Sequence, residues 1–178
     1  MTIAEHTGEQ IPVAHVARVV EDFSTFYERE LRPVVGLAYV LSGSRSGAED
    51  IAQDAFVQAY RKWETVGAYA NPGGWVRTAV SNRAVSLFRR KSAEARALLR
   101  FRGSSSSVPE LSADAMETWA AVRRLPKRQA QVIALHYYDR SSVAEIAQVL
   151  DCSENTVRTH LRRAKEALSE NLGEGSQA

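Results

Sequence analysis

Apolar residues recur three and four positions apart along most of this chain, and that period restricts it to packed amphipathic helices. Phe23, Phe26, Tyr27, Leu31, Val34, Val35, Ala38 and Leu41 follow it first. Ile51, Ala55, Ala59 and Trp63 follow it next, with Phe56 and Tyr60 alongside. Trp75, Val76, Ala79, Val80, Ala84, Leu87 and Phe88 form a third stripe. Glycine (10) and proline (5) are scarce in 178 residues, which favours long helices over a turn-rich β-fold.

Punctuation sets the boundaries. The first helix spans 22–41, and Pro33 inside it should kink or divide it, because proline lacks an N–H and crowds the preceding turn. Ser42 to Arg45 separate it from a second helix over 46–63. Gly67, Asn71, Pro72, Gly73 and Gly74 mark a loop over 64–74, and a third helix runs from Gly74 to Lys91. The run Gly103-Ser-Ser-Ser-Ser107, closed by Pro109, has the composition of a flexible linker. The expected fold is all-α: two small helical bundles joined by a flexible linker, the second containing a helix-turn-helix. The parts are an N-terminal arm over 1–20, a first domain over 21–95, a linker over 96–112, a second domain over 113–172 and a tail over 173–178.

The second domain carries the clearest chemical signal. It opens over 116–125, and Pro126 starts a helix reaching Tyr138. Ser142-x-x-Glu145 has the form of a capping box, followed by the stripe Val143, Ile146, Ala147 and Leu150. Asp151-Cys152 breaks the run, and Ser153 can cap a new helix whose inner side is Val157, Leu161, Ala164 and Leu168. Asp151 stands where glycine is frequent, although aspartate tolerates a left-handed backbone better than most residues. Asn155, Thr156, Arg158, Thr159, Arg162 and Arg163 remain for the outer surface. A helix fits the major groove, where arginine pairs bidentately with guanine and asparagine with adenine, while other arginines hold phosphates. The alternative is an ordinary helical hairpin with a basic outer face.

Net charge is only +2, so bulk charge announces no nucleic-acid partner, but the distribution is uneven. Arg83, Arg89, Arg90, Lys91, Arg96, Arg100 and Arg102 face a single acid, Glu94, across 83–102. Glu21, Asp22, Glu28, Glu30, Glu49, Asp50 and Asp54 make the earlier part acidic, which suggests two partner surfaces. Cys152 is the only cysteine, so no internal disulfide can form and a reducing cytoplasm fits. His6, His15, His136 and His160 are scattered and suggest no metal site; no cofactor is expected. No apolar run approaches the roughly 20 residues that span a bilayer, and the polar start reads as no signal peptide.

Three blocks resemble a known family. Leu125-Pro126, Val132 to Leu135, Glu145-Ile-Ala147, Ser153 to Arg158 and Arg163 to Leu168 look like the promoter-binding C-terminal domain of extracytoplasmic-function sigma factors of the sigma-70 superfamily. Ala48 to Phe56 with Ala59 to Trp63 resembles that family's polymerase-binding helix. Pro72 to Val76, Ala79 to Arg83 and Arg89-Arg90 resemble its −10-element helix. The blocks fall in the family's order over about residues 22–172.

The resemblance implies an alternative sigma factor that binds core RNA polymerase and directs promoter-specific initiation. Asp50, Gln53, Asp54, Gln58 and Arg61 would dock on the clamp helices of the largest polymerase subunit, with the flap as a further contact. Asn71, Trp75, Arg77, Asn82, Arg83, Arg89 and Arg90 would serve the −10 element, the loop over 66–74 taking an extruded single-stranded base. Trp75 also reads as a core residue. The face from Asn155 to Arg163 would read the duplex −35 element. An anti-sigma factor is a further partner that the family implies, and the location is cytoplasmic, at the nucleoid when polymerase-bound. The rival reading is a stand-alone helix-turn-helix regulator that binds duplex DNA without polymerase. A partner-titrating homologue without promoter function is a second rival. No phosphate-binding glycine loop, nucleophile elbow or ligand cluster points to an enzyme.

Overall fold

The computed structural model describes residues 21–95 and 111–174, and within them every regular element is helical. The expected N-terminal arm, the serine-rich linker and the last four residues lie outside the described residues.

Helix α1 (Phe23–Ser42) begins at Asp22, whose carboxylate accepts the Thr25 N–H at 3.1 Å. The Thr25 hydroxyl and N–H together hold that carboxyl below its ordinary pKa. The chain does not divide at Pro33, which lies inside α1. Pro33 is exposed, so the carbonyl its missing N–H would have served can turn to water. Gly43 ends α1 at φ +67° and donates to the Tyr39 carbonyl at 2.8 Å, a left-handed cap that favours glycine. Ser44 then caps α2 (Arg45–Arg61), accepting the Gly47 N–H at 3.2 Å.

Helix α2 stops at Arg61, short of the expected Trp63, and a separate turn of helix, α3 (Trp63–Val66), occupies part of the expected loop. Trp63 causes the break. Its indole donates to the Glu21 carbonyl at 3.0 Å and its ring meets Phe23 and Phe26, which draws it towards the start of α1. Helix α4 (Pro72–Ala95) starts two residues earlier than expected, because proline is favoured at a first helical position. The Asn71 side chain accepts the Gly74 N–H at 2.7 Å. Phe26, Leu37, Leu41, Phe56, Val76 and Val80 fill the core among α1, α2 and α4.

The second group comprises α5 (Ala113–Arg124), α6 (Lys127–Ile133), α7 (Val143–Leu150) and α8 (Glu154–Glu174). Helix α6 continues into a π-helical turn, Ala134–Tyr138, so the expected helix to Tyr138 is present but widened at its end. The capping box is complete: the Ser142 hydroxyl accepts the Glu145 N–H, and the Glu145 carboxylate accepts the Ser142 N–H at 2.7 Å. Asp151 adopts φ +51°, the left-handed turn between α7 and α8. Ser153 accepts the Thr156 N–H at 3.1 Å and starts α8. Val157, Leu161 and Ala164 are buried and Leu168 is half-buried.

The two groups share one continuous buried core. Helices α1 and α4 meet α5, α6, the π-turn and α7. Gly36 lies against the Tyr138 hydroxyl, where any larger residue would collide. Arg123 donates to the Val40 carbonyl at 3.0 Å.

Candidate nucleic-acid interface

Helices α7 and α8 form a helix-turn-helix. The short α7 buries Ile146, Ala147, Val149 and Leu150 and positions α8 by its apolar side. Asn155, Thr156, Arg158, Arg162 and Arg163 are exposed on α8, and Thr159 is half-exposed. Arg158 pairs with Glu154 at 2.7 Å and Arg162 with Glu166 at 2.8 Å, both one helical turn apart and mostly in water. Exposed pairs of this kind contribute roughly 0–1 kcal/mol, so a phosphate can displace the carboxylate. His160 is half-buried beside this face, and its Nδ1 lacks a hydrogen-bond partner. Burial, with the charges of Arg163 and Arg128, lowers its pKa. Cys152 in the turn is partly buried.

Helix α2 presents Asp50, Gln53, Asp54, Gln58 and Arg61 to solvent on its outer side. Val57 and Tyr60, also exposed, join Phe23, Tyr27, Gln53 and Phe56 in an apolar groove of about 310 Å³ beside that polar row. A cleft of about 520 Å³ separates α2 from α4, and across it Arg83 pairs with Asp54 at 2.8 Å.

The sequence-selected residues of the first group do not all share one environment. Arg83, Arg89 and Arg90 are exposed on α4. Asn71 is exposed but caps α4 with its side chain. Trp75 is half-buried and packs on the core. Asn82 is half-buried and accepts the Gln131 amide at 3.0 Å. Arg77 lies between Glu30 and Asp139, 2.8 Å from each. Burial opposes its charge, yet the bond to Asp139 and the field of both carboxylates hold its pKa above the ordinary value.

Comparison with known proteins agrees with this arrangement. A sigma-70 region 2 family model matches residues 26–94, and a sigma-70 region 4 model matches residues 115–168. The chain is 26% identical over 151 residues to the ECF RNA polymerase sigma factor SigW of Bacillus subtilis, covering 76% of this chain and 81% of that one. It is 31% identical over 145 residues to the ECF RNA polymerase sigma factor SigL of Mycobacterium tuberculosis, covering 75% of this chain and 79% of the relative. The chain belongs to the ECF sigma factors. Sigma factors are transcription initiation factors, a non-enzymatic class. The fold of this sigma factor matches a co-crystal structure of RpoE with the anti-sigma factor NepR from Bartonella quintana, at TM-score 0.68 and 24% identity, over 86% of this chain and 98% of that one. No helix among the described residues is long and apolar enough to cross a membrane, and none of them group as a metal site.

Sequence reasoning about this sigma factor passed over two kinds of residue. Tyr69 is 45% exposed in the loop before α4, an aromatic ring where an extruded base was expected to sit. Its signal was available, as an aromatic between Gly67 and Asn71 with no apolar stripe to join. Gln131, Asp139 and Glu30 engage Asn82 and Arg77 from distant parts of the chain. Gln131 interrupts an apolar run, but nothing local names its partner.

Proposed function

We propose that this sigma factor docks on core RNA polymerase through α2, captures a single-stranded −10 element with α4 and its preceding loop, and reads a duplex −35 element with α8. The observation that carries the reading is the pairing of two separate exposed faces: the polar row Asp50, Gln53, Asp54, Gln58 and Arg61 on α2, and the basic row Asn155 to Arg163 on α8. A stand-alone DNA-binding regulator needs only the second.

On α2 the acids would orient the docking, and Val57 and Tyr60 would supply the desolvated contact that gives an interface most of its affinity. On α4, Asn82 offers an amide for base edges, Tyr69 a stacking ring, and Arg83, Arg89 and Arg90 hold phosphates. Arg77 would join the phosphate contacts, and Trp75 would back the loop from the core side. Asn71 fixes the end of the loop through its cap. On α8, Asn155, Thr156, Arg158 and Thr159 lie nearest the capped N-terminus, which enters the major groove, and Arg162 and Arg163 follow the phosphate backbone. Holding both readers on polymerase makes promoter spacing part of the specificity. An anti-sigma factor is a partner supported by the co-crystallised state of the similar RpoE chain. The working place is the cytoplasm, on the nucleoid when polymerase is bound.

Retention of genomic fragments by tagged protein, with and without core polymerase, tests this. The expected result is enrichment of discrete fragments only when core is present, lost in both Asp54→Ala and Arg158→Ala. Enrichment without core, unaffected by Asp54→Ala, would favour the stand-alone regulator.

A further inference from the structure

We infer that Asp54 is a shared carboxylate: Arg83 and a cation of the core polymerase surface compete for it, so that each of the two binding events strengthens the other. Docking of core frees Arg83 for a phosphate of the DNA. The inference rests on the reading of α2 as the polymerase helix and of α4 as the DNA helix.

The cleft between those helices carries it. Asp50 and Asp54 stand one helical turn apart on the α2 wall, both exposed, and Arg83, Arg90 and Lys91 stand on the α4 wall. Lys91 is turned to the Ser44 hydroxyl at 3.0 Å. Arg83 reaches across and gives an N–H from Nη2 to Asp54 Oδ2 at 2.8 Å. The two side chains are 56% and 54% exposed, so this pair stands in water. The cleft measures about 520 Å³, which gives a lysine or arginine of a docking surface room to approach both acids.

Arg77, on the same helix, shows what a fixed pair looks like. Its side chain is 17% exposed and lies between Glu30 and Asp139, the latter 3% exposed. Removing one partner there leaves a buried charge uncompensated, which is costly. Parting Arg83 from Asp54 strands neither group, because water reaches both. Exchange of partners at Arg83 is therefore cheap.

The exchange couples the two faces. A polymerase cation meets Asp54 in an interface that excludes water, where a charge pair is stronger than its exposed counterpart. Arg83 without Asp54 carries an uncompensated positive charge on the helix that also exposes Arg89, and that charge suits a phosphate. Linkage makes the effect reciprocal: a phosphate that takes Arg83 leaves Asp54 to the polymerase, with the same gain in affinity. An exposed pair sets that gain at about twofold to fivefold.

Equilibrium binding of the full chain to purified core polymerase, without DNA, tests the sharing through a double-mutant cycle. Arg83→Ala should bind core about twofold to fivefold more tightly than the parent, although it loses a DNA contact. In an Asp54→Asn background the same change should have no effect on core binding. Binding of a random-sequence single-stranded DNA pool to the chain without polymerase gives the reciprocal reading. Asp54→Asn should tighten it by about the same factor, and adding Arg83→Ala should abolish that gain. An Arg83→Ala chain with unchanged or weaker core affinity would overturn the sharing, while weaker core binding by Asp54→Asn would still uphold α2 as the polymerase helix. A gain from Arg83→Ala that persisted beside Asp54→Asn would also overturn it, as a general effect of removing positive charge. Parental core affinity in Asp54→Asn would remove the polymerase reading of α2 and the sharing with it.

Discussion

Arg83 Nη2 lies 2.8 Å from Asp54 Oδ2, so the helix assigned to polymerase and the helix assigned to DNA are joined by an exposed ion pair. Both side chains are more than half exposed, and pairs of this kind contribute roughly 0–1 kcal/mol to stability. Asp54→Ala should therefore shift the urea midpoint little while weakening core polymerase binding by tenfold or more, in the range of about 1.4 kcal/mol. Parallel urea melts and equilibrium binding to core check both halves. Weakened binding that tracked a large loss of stability would mean that the residue supports the fold rather than the docking face.

Tyr69 should matter only once strands separate. Base stacking on an aromatic side chain is worth about 1–3 kcal/mol. Tyr69→Ala should lower open-complex formation by about tenfold to a hundredfold. Tyr69→Phe should stay close to the parent, because the ring does the stacking. Permanganate reactivity of unpaired thymines measures this directly.

Gly36 tests the packing between the helical groups. A Cβ there collides with the Tyr138 ring and hydroxyl, and Tyr138 is held in place against Trp119, with ring centroids 6.0 Å apart. Alanine for glycine inside a helix alone would stabilise by roughly 0.5–1 kcal/mol. Overpacking costs about 1–3 kcal/mol and should win. Thermal unfolding of Gly36→Ala should show the loss, and adding Tyr138→Phe should restore part of it by removing the nearest atom.

Three of the described groups with lowered pKa values, His160, Glu145 and Asp22, contribute to the response to acid. His160 has a folded pKa lowered from 6.5 by burial and by Arg163 and Arg128, so the unfolded chain binds its proton more readily. Stability from this group is full above about pH 6.5 and falls as pH drops from there towards the lower folded value. Glu145 is also lowered, from 4.5, chiefly by the Ser142 hydroxyl and N–H, so its contribution is present above that value and is lost as pH falls through the folded pKa. Urea unfolding over a pH series should show two declines on acidification. His160→Gln should remove the first, and Glu145→Gln should reduce the second, which Asp22 shares through its bonds to Thr25.

Local signals carried most of the helix pattern. Ser142, Glu145, Asp151 and Ser153 act within a few residues, so the capping box, the left-handed turn and the start of α8 were legible. The polar rows of α2 and α8 were legible because each follows from the phase of its own apolar stripe. What escaped were effects of packing. Trp63 breaks α2 because the start of α1 draws it in, and the period within α2 contains no trace of α1. Arg77 was assigned to the −10 element by the resemblance, and its carboxylate partners come 47 and 62 residues away. Gln131 and Asn82 are 49 residues apart, so their bond was visible only once the two groups were packed.

Run-off transcription with purified bacterial core polymerase, this protein and fragmented genomic DNA, read by sequencing transcript 5′ ends, tests the central claim most directly. Discrete start sites that share two spaced upstream elements, appear only with the protein and are lost with Asn82→Ala and Arg158→Ala, are the predicted result. No protein-dependent starts, with duplex DNA still bound in the absence of core, would contradict it.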